Sequence, residues 1–400
     1  GGERPGQVAM VTAVADSLEE GTHLLVQAGT GTGKSLGYLA PVLARIVERG
    51  EVIVVATATL ALQAQLAGSD IPAALDAVEH VAGQRPRACV LKGRNNYACL
   101  FRARDGSTEN GQGTLLGAAE LSESHESGSP SKLGVEVLML REWVEEQLLA
   151  GGAGDRDEAP PHTAAAWQQV SIPTRECPGV SRCPFGGECF VERSRESARA
   201  ADLIVTNHAL VAINAMHGGT ALPEHDALII DEAHELMGRL TTAATGELSA
   251  GVAERVVKRC LAWLGDELGG DLLDAVEELH DALADSPTGR ITGADVPLPV
   301  ACAGLRDASR RAISDLGKDR DNPERSQAAG ALGEIFDISE RIARLADQDV
   351  VWVSRSDGMG ETAHVAPLSV AGLLREQVFG QATTVLTSAT LTLGGDFRVF

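Results

Sequence analysis

The segment that most constrains the fold of this chain is the glycine-rich sequence AGTGTGKS at residues 28–35. It follows a short apolar run, residues 22–28, and it precedes a helical pattern that extends from about Lys34 to Arg49. Glycines let backbone N–H groups wrap around a phosphate, and the amino terminus of the next helix adds positive potential. Strand, loop and helix in this order predict a phosphate-binding loop and therefore an α/β fold.

Within this loop, Lys34 is expected to reach the β- and γ-phosphates of a nucleotide, and the hydroxyl of Ser35 is expected to bind Mg²⁺. The first position is Ala28, where the general pattern has glycine. An ordinary glycine-rich turn is the alternative, but the flanking strand and helix favour the phosphate site.

Two adjacent acids, Asp231 and Glu232, follow another apolar run at residues 227–230. Open α/β sheets place ligands at the carboxyl ends of their strands, which is where this pair is predicted to lie. Asp231 is expected to hold Mg²⁺ through water, and Glu232 to orient or deprotonate the attacking water. An acidic pair alone is usually a solvated loop, but together with the glycine-rich loop it predicts a nucleotide-hydrolysing site.

Strand and helix patterns alternate along the chain, which favours a parallel sheet covered by helices. Further strands are predicted at residues 51–57, 202–206 and 383–386, and a further helix at residues 60–67. Residues 105–165 are rich in Gly, Ser and acid and predict a surface excursion, with one helical stretch at residues 135–149. Residues 235–345 are mostly helical in pattern. We therefore predict one α/β core interrupted by two inserts.

The net charge of −22 argues against nucleic-acid binding when it is taken alone. Residues 85–104, however, carry six basic side chains and no acid. One interpretation is contact with nucleic-acid phosphates, and the alternative is a solvated loop that balances the acidic residues 105–158. The six basic residues are Arg85, Arg87, Lys92, Arg94, Arg102 and Arg104.

Four of the seven cysteines form a spaced set: Cys99 alone, and then Cys177, Cys183 and Cys189 close together. The sequence shows no signal peptide and no run of about 18 apolar residues, so a reducing cytosol is expected, where clustered cysteines more often bind metal than form disulfides. Four thiolates suit zinc or an iron–sulfur cluster, and scattered core thiols are a third interpretation. The short C-x2–4-C pairs of structural zinc sites are absent.

Several short motifs, in order, resemble those of superfamily 2 DEAH-type helicases. They are residues 4–7 (RPGQ), 56–60 (ATATL) with Gln63 and Gln65, 228–234 (LIIDEAH) and 387–391 (TSATL). The resemblance implies that Gln7, placed before the first helix, reads adenine, and that residues 56–60 grip a nucleic-acid backbone. It also implies that residues 387–391 link hydrolysis to strand movement through His234.

The cysteine spacing, its place before the DEAH motif and residues 201–210 (ADLIVTNHAL) resemble the iron–sulfur helicases of the XPD and DinG type. This resemblance covers nearly the whole chain. It implies an α/β, RecA-like P-loop core with a parallel sheet, interrupted by an iron–sulfur insert and a helical arch-like insert. A 4Fe–4S cluster is then expected on Cys99, Cys177, Cys183 and Cys189.

The predicted boundaries follow from these assignments. Helicase lobe 1 is expected at residues 1–84, 201–234 and 351–400, the cluster insert with its acidic excursion at 85–200, and the arch-like insert at 235–350. A second lobe, which supplies an arginine finger in this kind of motor, is expected beyond residue 400, and the chain alone is expected to bind ATP without walking on DNA.

The expected function is an ATP-dependent DNA helicase, moving 5′ to 3′ according to the resemblance. Its expected cofactors are ATP, Mg²⁺ and the cluster, its partner is single-stranded or forked DNA, no membrane is involved, and its location is the cytoplasm with the nucleoid. The catalytic candidates are Lys34, Asp231, Glu232 and His234. The ATP-binding candidates are Gln7, Ala28, Gly29, Thr30, Gly31, Thr32, Gly33, Lys34 and Ser35. Two alternatives stay open: an ATP- and DNA-binding protein that does not unwind, and a zinc-binding P-loop NTPase.

Overall fold

The structure of the chain is a computed structural model that describes residues 4–29, 31–104, 132–293, 296–318, 322–356, 360–392 and 396–397. Thr30 and residues 105–131 of the predicted acidic excursion lie outside these ranges. The chain divides into two compact units. The first, here the sheet unit, comprises residues 1–93, 194–244 and 369–400, and the second, here the insert unit, comprises residues 94–193 and 245–368. The domain boundaries given above stay predictions.

The described residues contain these strands and helices in chain order. The strands are β1 (Leu24–Gln27), β2 (Ile53–Thr57), β3 (Ala88–Val90), β4 (Leu203–Asn207), β5 (Ala227–Asp231), β6 (Gly246–Leu248), β7 (Gly289–Ile291), β8 (Asp349–Ser356), β9 (Gly360–Pro367) and β10 (Thr383–Ser388). The helices are α1 (Pro5–Glu20), α2 (Lys34–Arg49), α3 (Leu60–Gln65), α4 (Ile71–Ala82), α5 (Leu100–Ala103), α6 (Lys132–Ala150), α7 (Ala164–Val170), α8 (Phe190–Arg199), α9 (His208–Met216), α10 (Leu236–Ala244), α11 (Ala250–Leu261), α12 (Asp266–Asp285), α13 (Pro297–Leu316), α14 (Pro323–Arg344) and α15 (Ala371–Leu374). None of these helices is long and apolar enough to cross a membrane.

The sheet unit is built on six parallel strands in the order β1-β10-β5-β2-β4-β3. All residues of β2 and β4 are buried, as expected for central strands that are covered on both faces. Ile53 and Val55 enter the core that includes α1 and α2, whereas Val54 and Ala56 enter the core on the opposite face. Side chains that alternate along a strand therefore fill two separate cores. The predicted parallel sheet is confirmed.

The cysteine-bearing part of the insert unit has its own apolar core. The rings of Trp143 on α6 and Trp167 on α7 are tilted against each other, with centroids 6.3 Å apart. The indole N–H of Trp167 donates to the Asn95 carbonyl at 2.7 Å, so the buried ring has its polar group satisfied. The predicted helix at residues 135–149 is confirmed, because α6 contains it.

The rest of the insert unit combines the long helices α11 to α14 with a four-stranded antiparallel sheet in the order β6-β9-β8-β7. The mostly helical pattern of residues 235–345 is confirmed, but the sheet was not predicted. Strands β6 and β7 have three residues each. Such segments are too short for a periodicity of two to be recognised, and their pairing with β8 and β9 makes them strands.

A close backbone approach joins the two parts of the insert unit. Gly330 on α14 lies against the turn at Thr174–Glu176, which leads into Cys177. A Cβ atom on Gly330 would lie 1.9 Å from the carbonyl oxygen of Arg175. Arg175 also forms an ion pair with Asp337 of the same helix. The absence of a side chain at Gly330 is therefore what lets this turn pack on α14.

We predict that Gly330→Ala lowers the thermal unfolding temperature of the insert unit, because the added methyl group forces the turn away from α14 at a cost of about 1–3 kcal/mol. The matched control is Gly333→Ala on the same helix, where a Cβ atom meets no other atom within 4 Å. That substitution should stabilise the helix by about 0.5–1 kcal/mol. Calorimetry of both variants tests this, and equal effects at the two positions would contradict the packing argument.

Candidate nucleotide site and cysteine cavity

The carboxyl ends of three neighbouring strands bring the predicted nucleotide residues together. Strand β10 lies between β1 and β5, with Ser388 beside Gln27 and Thr387 beside Asp231. Because all three strands are parallel, the segments that follow them leave the same edge of the sheet. The glycine-rich loop, the DEAH motif and the TSATL motif therefore lie together at this edge, within the sheet unit.

The glycine-rich loop has the backbone conformation that its glycines were expected to permit. Gly31 and Gly33 have φ angles of 78° and 82°, in the left-handed region that favours glycine. The amide of Gln7 donates to the Gly33 carbonyl at 3.0 Å, and Arg4 donates to the Gly31 carbonyl, also at 3.0 Å. Gln7 lies inside α1, which begins at Pro5, so its predicted place before the first helix is wrong. It nevertheless contacts the predicted loop.

Lys34 and Glu232 form the central ion pair of the site. The Lys34 Nζ atom lies 2.6 Å from Glu232 Oε1, and both side chains are largely shielded from solvent. Burial acts to raise the pKa of Glu232, but the hydrogen bond and charge of Lys34 outweigh it and hold that pKa below its usual value. Glu232 has φ 51° and ψ 45°, a left-handed conformation that non-glycine residues rarely adopt.

Ser388 connects this pair to the DEAH histidine. Its hydroxyl donates to Glu232 Oε2 at 3.3 Å, and His234 Nδ1 lies 2.6 Å from the same hydroxyl oxygen. Because the single hydroxyl proton is donated to Glu232, the His234 ring donates through Nδ1. The TSATL motif therefore contacts the DEAH motif through Ser388 and His234.

Asp231 is held by three groups that the sequence did not single out for this role. Its Oδ1 accepts from the Glu232 N–H at 2.9 Å, and its Oδ2 accepts from the Tyr38 hydroxyl at 3.1 Å. Its carbonyl accepts from His208 Nε2 at 2.8 Å. Burial lowers the pKa of His208 to about 4. Burial also raises the pKa of the Asp231 carboxyl above its usual value. In the sequence, only their positions could have indicated these contacts: Tyr38 lies one helical turn after Ser35, and His208 directly follows β4.

The segment expected to grip nucleic acid has a different arrangement at Gln63. This side chain is buried, and its amide donates to the carbonyls of Val205 at 2.9 Å and Leu91 at 3.2 Å. Gln63 therefore links Leu91, the residue after β3, to Val205 of β4 through two hydrogen bonds. Gln65 is exposed, and Thr59 caps α3 through a hydrogen bond from the Leu62 N–H.

The four cysteines predicted as ligands line one cavity in the insert unit. They come from four places: Cys99 before α5, Cys177 after the turn, Cys183 in the following loop and Cys189 before α8. Burial raises the pKa of the Cys99 thiol to about 12. Among the described residues, no three His, Cys, Asp or Glu side chains are close enough to hold one metal ion.

The remaining three cysteines are not among the residues that line this cavity. Cys260 and Cys302 are fully buried in the apolar core of α11 to α14, as predicted. Burial raises the pKa of each of these two thiols to about 12. Cys89 lies in β3 of the sheet unit.

Two charged side chains, Arg94 and Glu192, are among the residues that line the cavity. Arg94 donates to Cys177 Sγ at 3.2 Å and pairs with Glu192 at 3.3 Å. Glu176, the residue before Cys177, accepts from Arg102 at 2.5 Å and from Arg259 of α11 at 2.9 Å. Glu176 thus joins the helix that follows Cys99 to the helical part of the same unit.

The arginines of the predicted basic patch contact acids of the chain itself. Arg85 pairs with Asp76 and Glu79, Arg87 with Asp202, and Arg104 with Glu145. The side chains of Arg94 and Arg102 are only 8% and 11% exposed. Lys92 is buried. The structure therefore favours an intramolecular role for the buried Arg94, Arg102 and Lys92. The side chains of Arg85 and Arg87 are 42% and 68% exposed, and their contact with nucleic-acid phosphates stays a prediction.

Comparison with known proteins supports the motif assignments. The family model "DEAD/DEAH box helicase" matches residues 4–82. The ATP-dependent helicase DinG of Mycobacterium tuberculosis is 42% identical over 411 residues, which cover 99% of this chain and 61% of that protein. Over nearly its whole length, the chain is similar to this DinG helicase. The predicted resemblance is thereby confirmed.

Other relatives agree with this assignment. The ATP-dependent DNA helicase YoaA of Haemophilus influenzae is 28% identical over 420 residues, covering 99% of this chain and 61% of that protein. A solved XPD helicase structure matches with a TM-score of 0.56 at 15% identity, covering 97% of this chain and 58% of that chain. This structural similarity, with the six parallel strands, confirms the predicted RecA-like fold class. The chain spans about three fifths of the length of these relatives.

We predict that Glu176→Gln lowers the unfolding free energy of the insert unit by about 3–5 kcal/mol, because two arginines then face each other without a shared carboxylate. The matched control is Glu188→Gln in the same unit, where the side chain is 55% exposed and lies 3.8 Å from Arg104. This control should change stability by less than about 1 kcal/mol. Denaturant titration followed by tryptophan fluorescence measures both, and similar losses in the two variants would rule out a buried triad.

Proposed function

We propose that this chain is the ATP-binding part of an ATP-dependent DNA helicase. The observation that carries the proposal is the contact network of Lys34, Glu232, Ser388 and His234 at one edge of the parallel sheet. Motifs that are far apart in sequence, and that bind and hydrolyse ATP in P-loop enzymes, here share direct hydrogen bonds. The named relatives are ATP-dependent helicases, which supports the same reading.

Each residue of the network has a chemical part in this proposal. The loop 28–35 encloses the phosphates with backbone N–H groups, and Lys34 exchanges Glu232 for the γ-phosphate when ATP binds. Ser35 and Asp231 hold Mg²⁺, and Glu232 orients the attacking water. Gln7 reads the adenine, and His234 relays the state of the site to residues 387–391 through Ser388. Breaking the Lys34–Glu232 pair frees the carboxylate for water at the moment the nucleotide arrives.

We predict that Lys34→Ala abolishes detectable ATP binding, because the γ-phosphate loses its countercharge, and that Glu232→Gln keeps binding but loses turnover. Calorimetric titration with ATP and a DNA-stimulated ATPase assay of the intact protein measure the two effects. Lys258→Ala, on an exposed i,i+4 pair with Glu254, is the control that should behave as the unsubstituted protein. Normal DNA-stimulated turnover in either site variant would disprove the assignment.

We also propose that Cys99, Cys177, Cys183 and Cys189 hold a 4Fe–4S cluster. All four cysteines line one cavity of the insert unit. Four thiolates suit either an iron–sulfur cluster or zinc, and the cysteine spacing resembles that of the iron–sulfur helicases. The Arg94 guanidinium beside Cys177 Sγ supplies a hydrogen bond of the kind that stabilises ligand thiolates. A bound cluster would tie four segments of the insert unit together.

We predict that Cys→Ser at any of the four positions removes the visible absorption of protein purified without oxygen and lowers its iron and sulfide content. Cys89→Ser, at a half-buried thiol in β3, is the matched control and should leave both unchanged, as should serine at Cys260 or Cys302. Zinc without iron or sulfide in the unsubstituted protein would instead identify a zinc-binding NTPase.

Single-stranded or forked DNA is the proposed partner, and movement is proposed to be 5′ to 3′, in the cytoplasm with the nucleoid. These details derive from the resemblance to iron–sulfur helicases. A strand-separation assay with forks of either polarity tests them in the intact protein. ATP-dependent DNA binding without strand separation would favour the non-motor alternative.

A further inference from the structure

The hydroxyl of Tyr38 contacts Asp231, one of the two residues proposed to hold Mg²⁺. Tyr38 is fully buried on α2, and it donates to Asp231 Oδ2 at 3.1 Å. Tyr38 lies three residues after Ser35, on the helix that follows the glycine-rich loop. Residues at this spacing lie on one face of a helix, so Tyr38 projects from the same face of α2 as Ser35, and its hydroxyl is fixed by the bond to Asp231.

This contact completes the support of the Asp231 carboxylate. Its Oδ1 accepts from the Glu232 N–H, and its Oδ2 accepts from Tyr38, so both oxygens have a fixed partner. The remaining lone pairs of the carboxylate then point in a defined direction. A buried phenol has one proton to donate, and here that proton goes to the proposed metal-binding side chain rather than to a backbone carbonyl.

We propose that Tyr38 is a positioning residue of the magnesium site: it orients Asp231 toward Mg²⁺ without touching the metal or the nucleotide. The proposal rests on the nucleotide site proposed above and adds a residue to it. Groups that hydrogen-bond to metal ligands fix their orientation, and their loss typically costs about 10–100-fold in metal affinity or activity. Phenylalanine at this position fills the same volume and removes only the hydroxyl.

The test is the binding of a fluorescent ATP analogue to the chain, first in EDTA and then across a Mg²⁺ titration. In Tyr38→Phe, affinity in EDTA should be unchanged, since the loop N–H groups and Lys34 remain. The Mg²⁺ concentration that gives half of the magnesium-dependent gain should rise about 10-fold or more. Tyr97→Phe removes the other tyrosine hydroxyl of the chain, in the insert unit, and should leave both quantities unchanged.

A double substitution separates positioning from a general packing effect. If Tyr38 acts through Asp231, then Tyr38→Phe adds no further loss of Mg²⁺ affinity in an Asp231→Asn background. Equal shifts in both backgrounds, an unchanged Mg²⁺ midpoint, or loss of binding already in EDTA would each overturn the inference. Absence of any ATP binding by the unsubstituted chain would contradict the proposed function itself, so the two failures are distinguishable.

Discussion

The parallel pairing of β10 between β1 and β5 is the constraint on which the nucleotide site depends. Strand β10 is far from β1 in the sequence, and it lies second in the sheet, between β1 and β5. Its register sets Ser388 beside Gln27 and Thr387 beside Asp231. Without this pairing, the loop and the DEAH motif would lie at the ends of separate strands, with no hydroxyl between Glu232 and His234. Long-range pairing of this kind costs loop-closure entropy, which grows only slowly with the length of the intervening chain.

In the nucleotide site, Glu232 combines an unfavourable backbone conformation with a charged side chain. Glu232 adopts a left-handed backbone conformation, which costs on the order of 1–3 kcal/mol for a non-glycine residue. The ion pair with Lys34 and the hydrogen bond from Ser388 hold it there. The conformation turns the Glu232 side chain toward the glycine-rich loop while Asp231 stays in line with the strand. Two adjacent acids thereby face different partners, as their proposed separate chemical parts require.

The insert unit shows why a local run of basic residues does not by itself indicate contact with nucleic acid. Two of its arginines bind partners within the same unit. Arg94 donates to Cys177 Sγ and pairs with Glu192, and Arg102 pairs with Glu176. Buried guanidinium groups need carboxylate partners, so the basic segment and the surrounding acids fold onto each other. The cysteine cavity forms within this network, and the turn before Cys177 is packed on α14 at Gly330.

The sequence by itself determined the parallel sheet, the phosphate loop and the acidic pair, because each depends on local patterns: an apolar strand, a glycine-rich turn and a helix start. It also separated the four cavity cysteines from Cys260 and Cys302. Only the tertiary structure decided which side chains meet. The contacts of Tyr38 and His208 with Asp231, the burial of Gln63 and the pairing of Arg102 with Glu176 join segments far apart in the chain. A residue type and its spacing do not reveal such partners, since a buried polar group takes whichever partner the packed fold brings within hydrogen-bond distance.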